Sequence, residues 1–304
     1  MFIDYLTFNT PIHTAVLLIG RIPNGWTSTP SLTVTYSEVK RRGGIMVSLP
    51  YHPKGTAHIE VTGHGCRELE AAGIVLDWQT FLREMLDAGA RFTRLDCAID
   101  DRVGLLDLNK IIAACEDGRV VSAYQNADPR PKMNPATGER TGDGVTFGNR
   151  TSETYIRIYD KGLQTKSCDQ WIRVEMEAKK TRAQALAEAI GKEGTKVVPS
   201  ILLGYLDFKE RGETDRRNRW PTTIWWTQFL STEQRFRLET APRNASLEKA
   251  YFWFIRQCSR LFALIYDSGE YPTFLEDVLT EGRRKQDCHT AKAIHCRIVL
   301  PRQA

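Results

Sequence analysis

The chain has 304 residues, 41% of them hydrophobic and 26% charged, a composition ordinary for a globular protein that buries a real core in about two domains. Its net charge of +5 and pI near 8.8 are compatible with a polyanionic partner. No run of about 18 apolar residues is present to span a membrane, Asp4 interrupts the N-terminus where a signal peptide is apolar, and seven irregularly spaced cysteines point to reduced thiols in a cytoplasm.

Residues 2–8 are rich in β-formers and predict a first strand. Residues 12–50 carry Pro and Gly breaks, with strands expected around 31–37 and 45–49. Residues 58–64 alternate, with His58, Glu60, Thr62 and His64 on one side and Ile59 and Val61 on the other, before a short helical stretch, CRELEAAG. A helix follows, with Asp77 as its N-cap, a stripe of Trp78, Phe81, Leu82 and Met85, and Gly89 at its end. Residues 91–100 alternate again: Arg94, Asp96 and Asp100 share one face, and Leu95, Cys97 and Ile99 the other. The next helix has Asp107 as cap, Leu108, Ile111, Ile112 and Cys115 as stripe, and Gly118 as stop. Residues 119–125 predict a strand, and 126–143 a polar Pro/Gly loop.

Two strictly alternating segments come next. Tyr155, Arg157, Tyr159 and Lys161 alternate with Ile156 and Ile158, and Trp171, Arg173, Glu175 and Glu177 alternate with Ile172, Val174 and Met176. An Ala-rich helix follows over 181–190. Beyond about residue 200 the character changes, to a charged connector (209–220) containing Arg211, Arg216, Arg217 and Arg219, then an aromatic segment with Trp225 and Trp226, then a strong amphipathic helix over 246–266. The pattern predicts an α+β fold: an antiparallel-rich sheet covered by helices on one face and open on the other, over residues 1–200, followed by a mainly helical region over 201–304 that binds DNA or serves assembly.

The open face concentrates chemistry. Asp96, Asp100, Glu175 and Glu177 form an acidic set without flanking cysteines, which favours a hard divalent ion, Mg²⁺ or Mn²⁺. Such an ion polarises a phosphodiester for in-line attack. A tyrosine hydroxyl beside a metal-bound phosphate and cations such as Arg157 and Lys161 is a credible nucleophile, and spacing does not choose between Tyr155 and Tyr159. The arginines at 211, 216, 217 and 219 are candidate phosphate contacts. Trp225 and Trp226 sit among apolar neighbours that favour core packing over base stacking. Cys288-His289 and His295-Cys296 match no common zinc spacing, and no glycine motif for nucleotides occurs.

At these residues the chain resembles the replication initiation factors of rolling-circle plasmids and filamentous phages, with relaxases of some integrative elements. Ile3 to Thr7, Glu60 to Glu70, Arg94 to Asp100, Thr146-Phe147-Gly148 with Arg157 to Lys161, and Trp171 to Glu177 carry the likeness in order. Trp220-Pro221 with Trp225-Trp226 looks closest to the phage members. The resemblance implies a metal-dependent nickase that cuts one strand at a replication origin, stays attached through a tyrosine, later rejoins the strand, and hands the nicked end to host helicase and polymerase in a bacterial cytoplasm. It gives Tyr159 the nucleophile role, Asp96 and Glu175 the first metal-ligand roles, Asp100 and Glu177 the second, and Arg157, Lys161 and Arg173 the scissile phosphate. One departure is that Gly162-Leu163-Gln164 follows Tyr-Asp-Lys where the family often has Glu. A homodimer stays open, as does a DNA-binding initiator or repressor that does not cut, or a metallophosphodiesterase using water.

Overall fold

Alternation of apolar and polar residues produces the strands on which the other elements are laid. In the computed structural model the chain is described over residues 1–138, 140–167, 170–231 and 247–285. It divides into two compact units, Met1–Thr240 and Ala241–Ala304. The first unit opens with β1 (Phe2–Pro11), α1 (Ile12–Arg21), β2 (Thr27–Pro30), β3 (Tyr36–Arg42), β4 (Ile45–Pro50), β5 (Thr56–Val61) and α2 (Gly63–Ala71). It continues through α3 (Trp78–Asp87), β6 (Arg91–Asp101), α4 (Leu108–Glu116), β7 (Val120–Ser122), β8 (Ala127–Pro129), β9 (Lys132–Met133), β10 (Arg140–Gly142) and β11 (Gly144–Phe147). Then come β12 (Thr154–Asp160), α5 (Lys161–Thr165), β13 (Ile172–Lys179), α6 (Lys180–Glu193), α7 (Val197–Tyr205), β14 (Leu206–Phe208) and α8 (Ile224–Leu230). The second unit carries α9 (Leu247–Asp267) and α10 (Tyr271–Lys285).

Ten strands form one sheet in the order β2-β3-β4-β5-β1-β6-β13-β12-β11-β8, with every neighbouring pair antiparallel. Its apolar face carries Leu6 and Phe8 from β1, Leu95 and Cys97 from β6, Ile156 and Ile158 from β12, and Val174 and Met176 from β13, all in one core with Leu82 of α3, Ile111 of α4 and Leu186 of α6. Fully burying one such side chain stabilises the fold by roughly 1.5–3 kcal/mol. The caps expected for two of these helices form: the Asp77 carboxylate accepts the Thr80 N–H at 2.8 Å, and Asp107 accepts the Asn109 N–H at 2.9 Å. The fold is the α+β arrangement that the alternation predicts.

Three local expectations are corrected. Residues 12–21 form helix α1, because Pro11, the last residue of β1, is also the helix N-cap, where a missing N–H breaks no helical hydrogen bond. Residues 126–143 are not simply a loop: β8 joins the edge of the large sheet, and β9 pairs with β10. Lys161 is not the last residue of a strand but the first of α5, whose start is capped by the Asp160 carboxylate accepting the Leu163 N–H at 2.7 Å.

Residues 206–230 close the apolar side of the first unit. β14 pairs with β7, and the Trp226 indole, fully buried, donates to the Leu206 carbonyl at 3.1 Å and meets Phe208 edge-on at 5.0 Å. Trp225 is partly buried against the same core. Within the second unit, Gly269 takes a positive φ between the two helices, and Phe262 meets Tyr271 and Phe274 edge-on at 5.5 and 5.6 Å. The Cys288-His289 and His295-Cys296 pairs lie outside the described residues. No helix among the described residues is long and apolar enough to cross a membrane. Removing the Trp226 ring should leave a large cavity, so Trp226→Ala is expected to lose about 3–5 kcal/mol of stability in urea denaturation of the whole chain. A loss below about 1 kcal/mol would show that this segment is peripheral to the core.

Candidate active site on the polar sheet face

The polar face is organised by register. Across β13 and β6, Glu177 stands opposite Asp96, Glu175 opposite Ala98, and Arg173 opposite Asp100. Across β13 and β12, Glu177 stands opposite Tyr155, Glu175 opposite Arg157, and Arg173 opposite Tyr159. All eight residues proposed from the sequence as nucleophile, phosphate holders and metal ligands therefore lie on three adjacent strands or, for Lys161, on the turn that leaves β12.

These side chains are far more buried than a solvated face requires. Asp96 is 1% exposed and Glu175 4%, and Arg173 and Glu177 are buried as well. Buried charge must be paired, and here guanidinium groups do the pairing. Arg94 grips Asp96 with two hydrogen bonds of 2.9 and 2.6 Å and reaches Glu177 at 2.7 Å. Lys179 also reaches Glu177, at 2.5 Å. Arg157 pairs with Glu175. Arg173 holds Asp100 at 2.7 and 3.0 Å and Asp4 at 3.3 Å.

Arg94, Asp4 and Lys179 have roles that the sequence reading did not assign. Arg94 offered a signal, lying two residues before Asp96 on the same face. Asp4 did not, since it enters the network through a register irregularity between Ile3 and Tyr5. Glu60 also belongs to this face, accepting the Tyr5 hydroxyl at 2.7 Å, and His58 Nδ1 lies 2.9 Å from Asn9.

The two tyrosines differ. Tyr155 is 2% exposed. Tyr159 is half-buried, and its hydroxyl donates to Glu175 Oε2 at 3.0 Å. Gly144 lies opposite Tyr159, and a Cβ there would come within 2.8 Å of the Ile158 carbonyl and of Tyr159 Cβ, so glycine is what the close approach of β11 to the tyrosine requires. Arg157 and Lys161 lie 5.9 and 5.7 Å from the Tyr159 ring centroid. The Lys161 ammonium donates to Gln164 Oε1 at 2.7 Å, so the departure from the family pattern supplies a neutral partner for this lysine.

Burial, and then the charge of Glu175, push the Tyr159 hydroxyl well above the ordinary tyrosine value, outweighing Arg173 and Arg157. The nearby cations do not make it a resting phenolate. Lys161 is lowered, by burial first and then by Arg173. Asp96 is pushed up to about 7: burial is the largest cause, and Glu175 and Glu177 add to it against the opposing pull of Arg94. One guanidinium shared between two carboxylates does not neutralise both.

Among the described residues no three His, Cys, Asp or Glu side chains stand together as a metal cage. Asp96, Glu175 and Glu177 offer only oxygen, the donor chemistry of a hard cation, but each of their oxygens is already met by a guanidinium, an ammonium or a hydroxyl. Asp100 is engaged by Arg173. The connector arginines are elsewhere. Arg211, Arg216, Arg217 and Arg219 are all exposed, and Arg217 donates to the Gly118 carbonyl at 3.1 Å, just past the end of α4 on the helix-covered side.

The replication initiation factor family matches residues 90–281, more than half of the chain, a span that includes β6, β12 and β13. A Bacillus subtilis (strain 168) protein named "Putative DNA relaxase NicK" is 25% identical over 255 residues, covering 78% of this chain and 71% of its own. The structure of a rolling circle replication initiator protein from Geobacillus stearothermophilus superposes with a TM-score of 0.65 at 22% identity, over 78% of this chain and 98% of that one. This last likeness is one of fold.

The raised Asp96 has a consequence for stability. In the unfolded chain this carboxyl ionises near pH 4, whereas in the fold it keeps its proton until about 7. Between those values the native state holds a proton that the unfolded state has lost, so this group's contribution falls as pH rises through the window. Without divalent ions, the Tm difference between Asp96→Asn and wild type should therefore move in the variant's favour from pH 4.5 to pH 8. A difference that stays constant with pH would contradict the assignment.

Proposed function

The chain belongs to the replication initiation factor family, and from that premise we propose that it is a DNA nickase and strand-transferase that starts rolling-circle replication. The observation that carries this reading is the Tyr159 hydroxyl, hydrogen-bonded to Glu175 on a face that sets Arg157 and Lys161 beside it. In the proposed step Tyr159 Oη attacks a backbone phosphorus while Glu175 Oε2 takes the phenolic proton. The Oη–P bond forms, the P–O3′ bond breaks, and the departing 3′-oxygen takes up a proton from solvent. The products are a 5′-phosphotyrosine and a free 3′-OH. Because the phosphotyrosine keeps the bond energy, a later attack by a 3′-OH reverses the step and rejoins the strand.

In this reading Arg157 and Lys161 hold the scissile phosphate, a role that their 5.9 and 5.7 Å distances from the Tyr159 ring support. Arg173, tied to Asp100 and Asp4, supports the face behind Tyr159. Asp96, Glu175 and Glu177 would hold Mg²⁺ or Mn²⁺ only by exchanging their present partners, and the ion when bound supplies polarisation of the phosphodiester. Glu175 Oε2 faces Tyr159, and its Oε1 is held by Arg157. The proposed partners are origin DNA, for which the exposed arginines 211, 216, 217 and 219 offer phosphate contacts, and then host helicase and polymerase.

The test is incubation of the protein with a random-sequence pool of single-stranded DNA and Mg²⁺, followed by denaturing electrophoresis. A covalent adduct is expected. Tyr159→Phe should abolish it while leaving DNA binding within about threefold, and Glu175→Gln should slow it by about 10²–10⁴-fold, the usual worth of a general base. Clean cutting without adduct would favour water as nucleophile, and binding without cutting would leave an initiator or repressor.

A further inference from the structure

Beside Tyr159, on the side away from the carboxylates, lies a pocket of about 230 Å³. Tyr155, Arg157 and Tyr159 of β12 and Thr146 of β11 form its walls, and Arg130 and Arg150 also line it. Two of these lining residues carry a donor that is buried without any hydrogen-bond partner, Thr146 Oγ1 and Arg157 Nε. Thr146 is only 8% exposed, and its strand neighbour across β12 is Arg157 itself. Buried donors are almost always paired, because an unmade hydrogen bond forfeits the solvation of the group. Two of them lining one hollow point to an acceptor that arrives from outside.

The character of that acceptor follows from the walls. Three guanidinium groups line the pocket. The two carboxylates that also line it are already engaged, Asp143 by the Gly144 N–H at 2.9 Å and Asp160 by the Leu163 N–H at 2.7 Å. Arg150 is exposed, and Arg130 is exposed and loosely paired with Asp128 at 3.7 Å, so both are free to turn toward an anion. An anionic oxygen satisfies a guanidinium N–H and a hydroxyl together. The volume lies below the roughly 300–1,000 Å³ of typical small-molecule sites, which suits a phosphate with part of its sugar and not a stacked run of bases.

We propose that this pocket seats one backbone phosphate of single-stranded DNA, the neighbour of the phosphate that Tyr159 attacks. Thr146 and Arg157 Nε bind its oxygens, Arg150 and Arg130 supply charge at the rim, and Tyr155 is the wall that fixes the depth. Thr146 is then a positioning residue: by holding the adjacent phosphate it sets the scissile phosphorus in line with Tyr159 Oη. This placement next to the cut rests on the nicking reading, whereas the phosphate site itself does not.

The probe is thymidine 3′,5′-bisphosphate, titrated calorimetrically into the full-length protein, with thymidine and inorganic phosphate as comparisons. The bisphosphate should bind to wild type more tightly than thymidine or inorganic phosphate does. Thr146→Val and Arg150→Gln should each weaken it about tenfold, the loss expected for one hydrogen bond to a charged group, and Thr146→Ser, which restores the hydroxyl, should recover wild-type affinity. Unchanged binding in Thr146→Val, no recovery in Thr146→Ser, or inorganic phosphate binding as tightly as the bisphosphate would overturn the proposal. The place next to the cut is read from an oligonucleotide that wild type cuts, with methylphosphonate replacing one phosphate at a time. A single neutral phosphate beside the cut should slow wild type about tenfold and add nothing in Thr146→Val. If no DNA is cut while the bisphosphate still binds through Thr146, the nicking reading fails and the phosphate site stands.

Discussion

Charge pairing beneath the surface of one sheet face is the constraint on which the rest of this structure depends. Asp96, Glu175 and Glu177 are nearly solvent-free and Asp100 is half-buried, and each of the four is met by a guanidinium: Asp96 and Glu177 by Arg94, Glu175 by Arg157, Asp100 by Arg173. Removing one partner from such a pair strands a buried charge, a change that typically destabilises by about 3–5 kcal/mol. The register of β6, β13 and β12 is therefore fixed from both sides, by apolar packing beneath the sheet and by ion pairing above it. The same constraint makes the tyrosine useful. In the proposed reaction a half-buried hydroxyl, poorly acidic at rest, gives its proton to the carboxylate it is hydrogen-bonded to.

Much of this was legible in the chain because a strand's period of two writes its faces into the sequence. Arg94, Asp96 and Asp100 share a face with Arg173, Glu175 and Glu177 simply by parity, and the helices over 78–87 and 108–116 announce themselves through aspartate caps and apolar stripes. Parity says nothing of which strand lies beside which. It therefore could not show that Glu177 faces Asp96, that Arg94 serves both, or that Asp100 turns to Arg173. It also treats Tyr155 and Tyr159 as equivalent, although one is buried in a pocket wall and the other offers a hydroxyl to Glu175.

Other features escaped for distinct reasons. Helix α1 was hidden by Pro11, whose role at a helix start is the opposite of its role inside one. Asp4 reaches Arg173 only because β1 is irregular at that point, and no periodicity describes an irregularity. The aromatic run around Trp226 was readable as core from its composition, but its partners, Leu206 and Phe208, are set by tertiary packing. Thr146 stood out in the chain only as part of the Thr146-Phe147-Gly148 likeness, which gave its side chain no role, since a threonine in a strand is ordinary until its hydroxyl is found buried and unpaired.

The central claim is that a single tyrosine takes the broken DNA strand, and the most direct measurement is the mass of the peptide that carries it. Trypsin separates the two candidates, because cleavage after Arg150, Arg157 and Lys161 leaves Tyr155 in the peptide 151–157 and Tyr159 in the peptide 158–161. After nuclease trimming of the covalent complex, mass spectrometry should find the residual nucleotide on 158–161. Finding it on 151–157, or on any other peptide, would contradict the account.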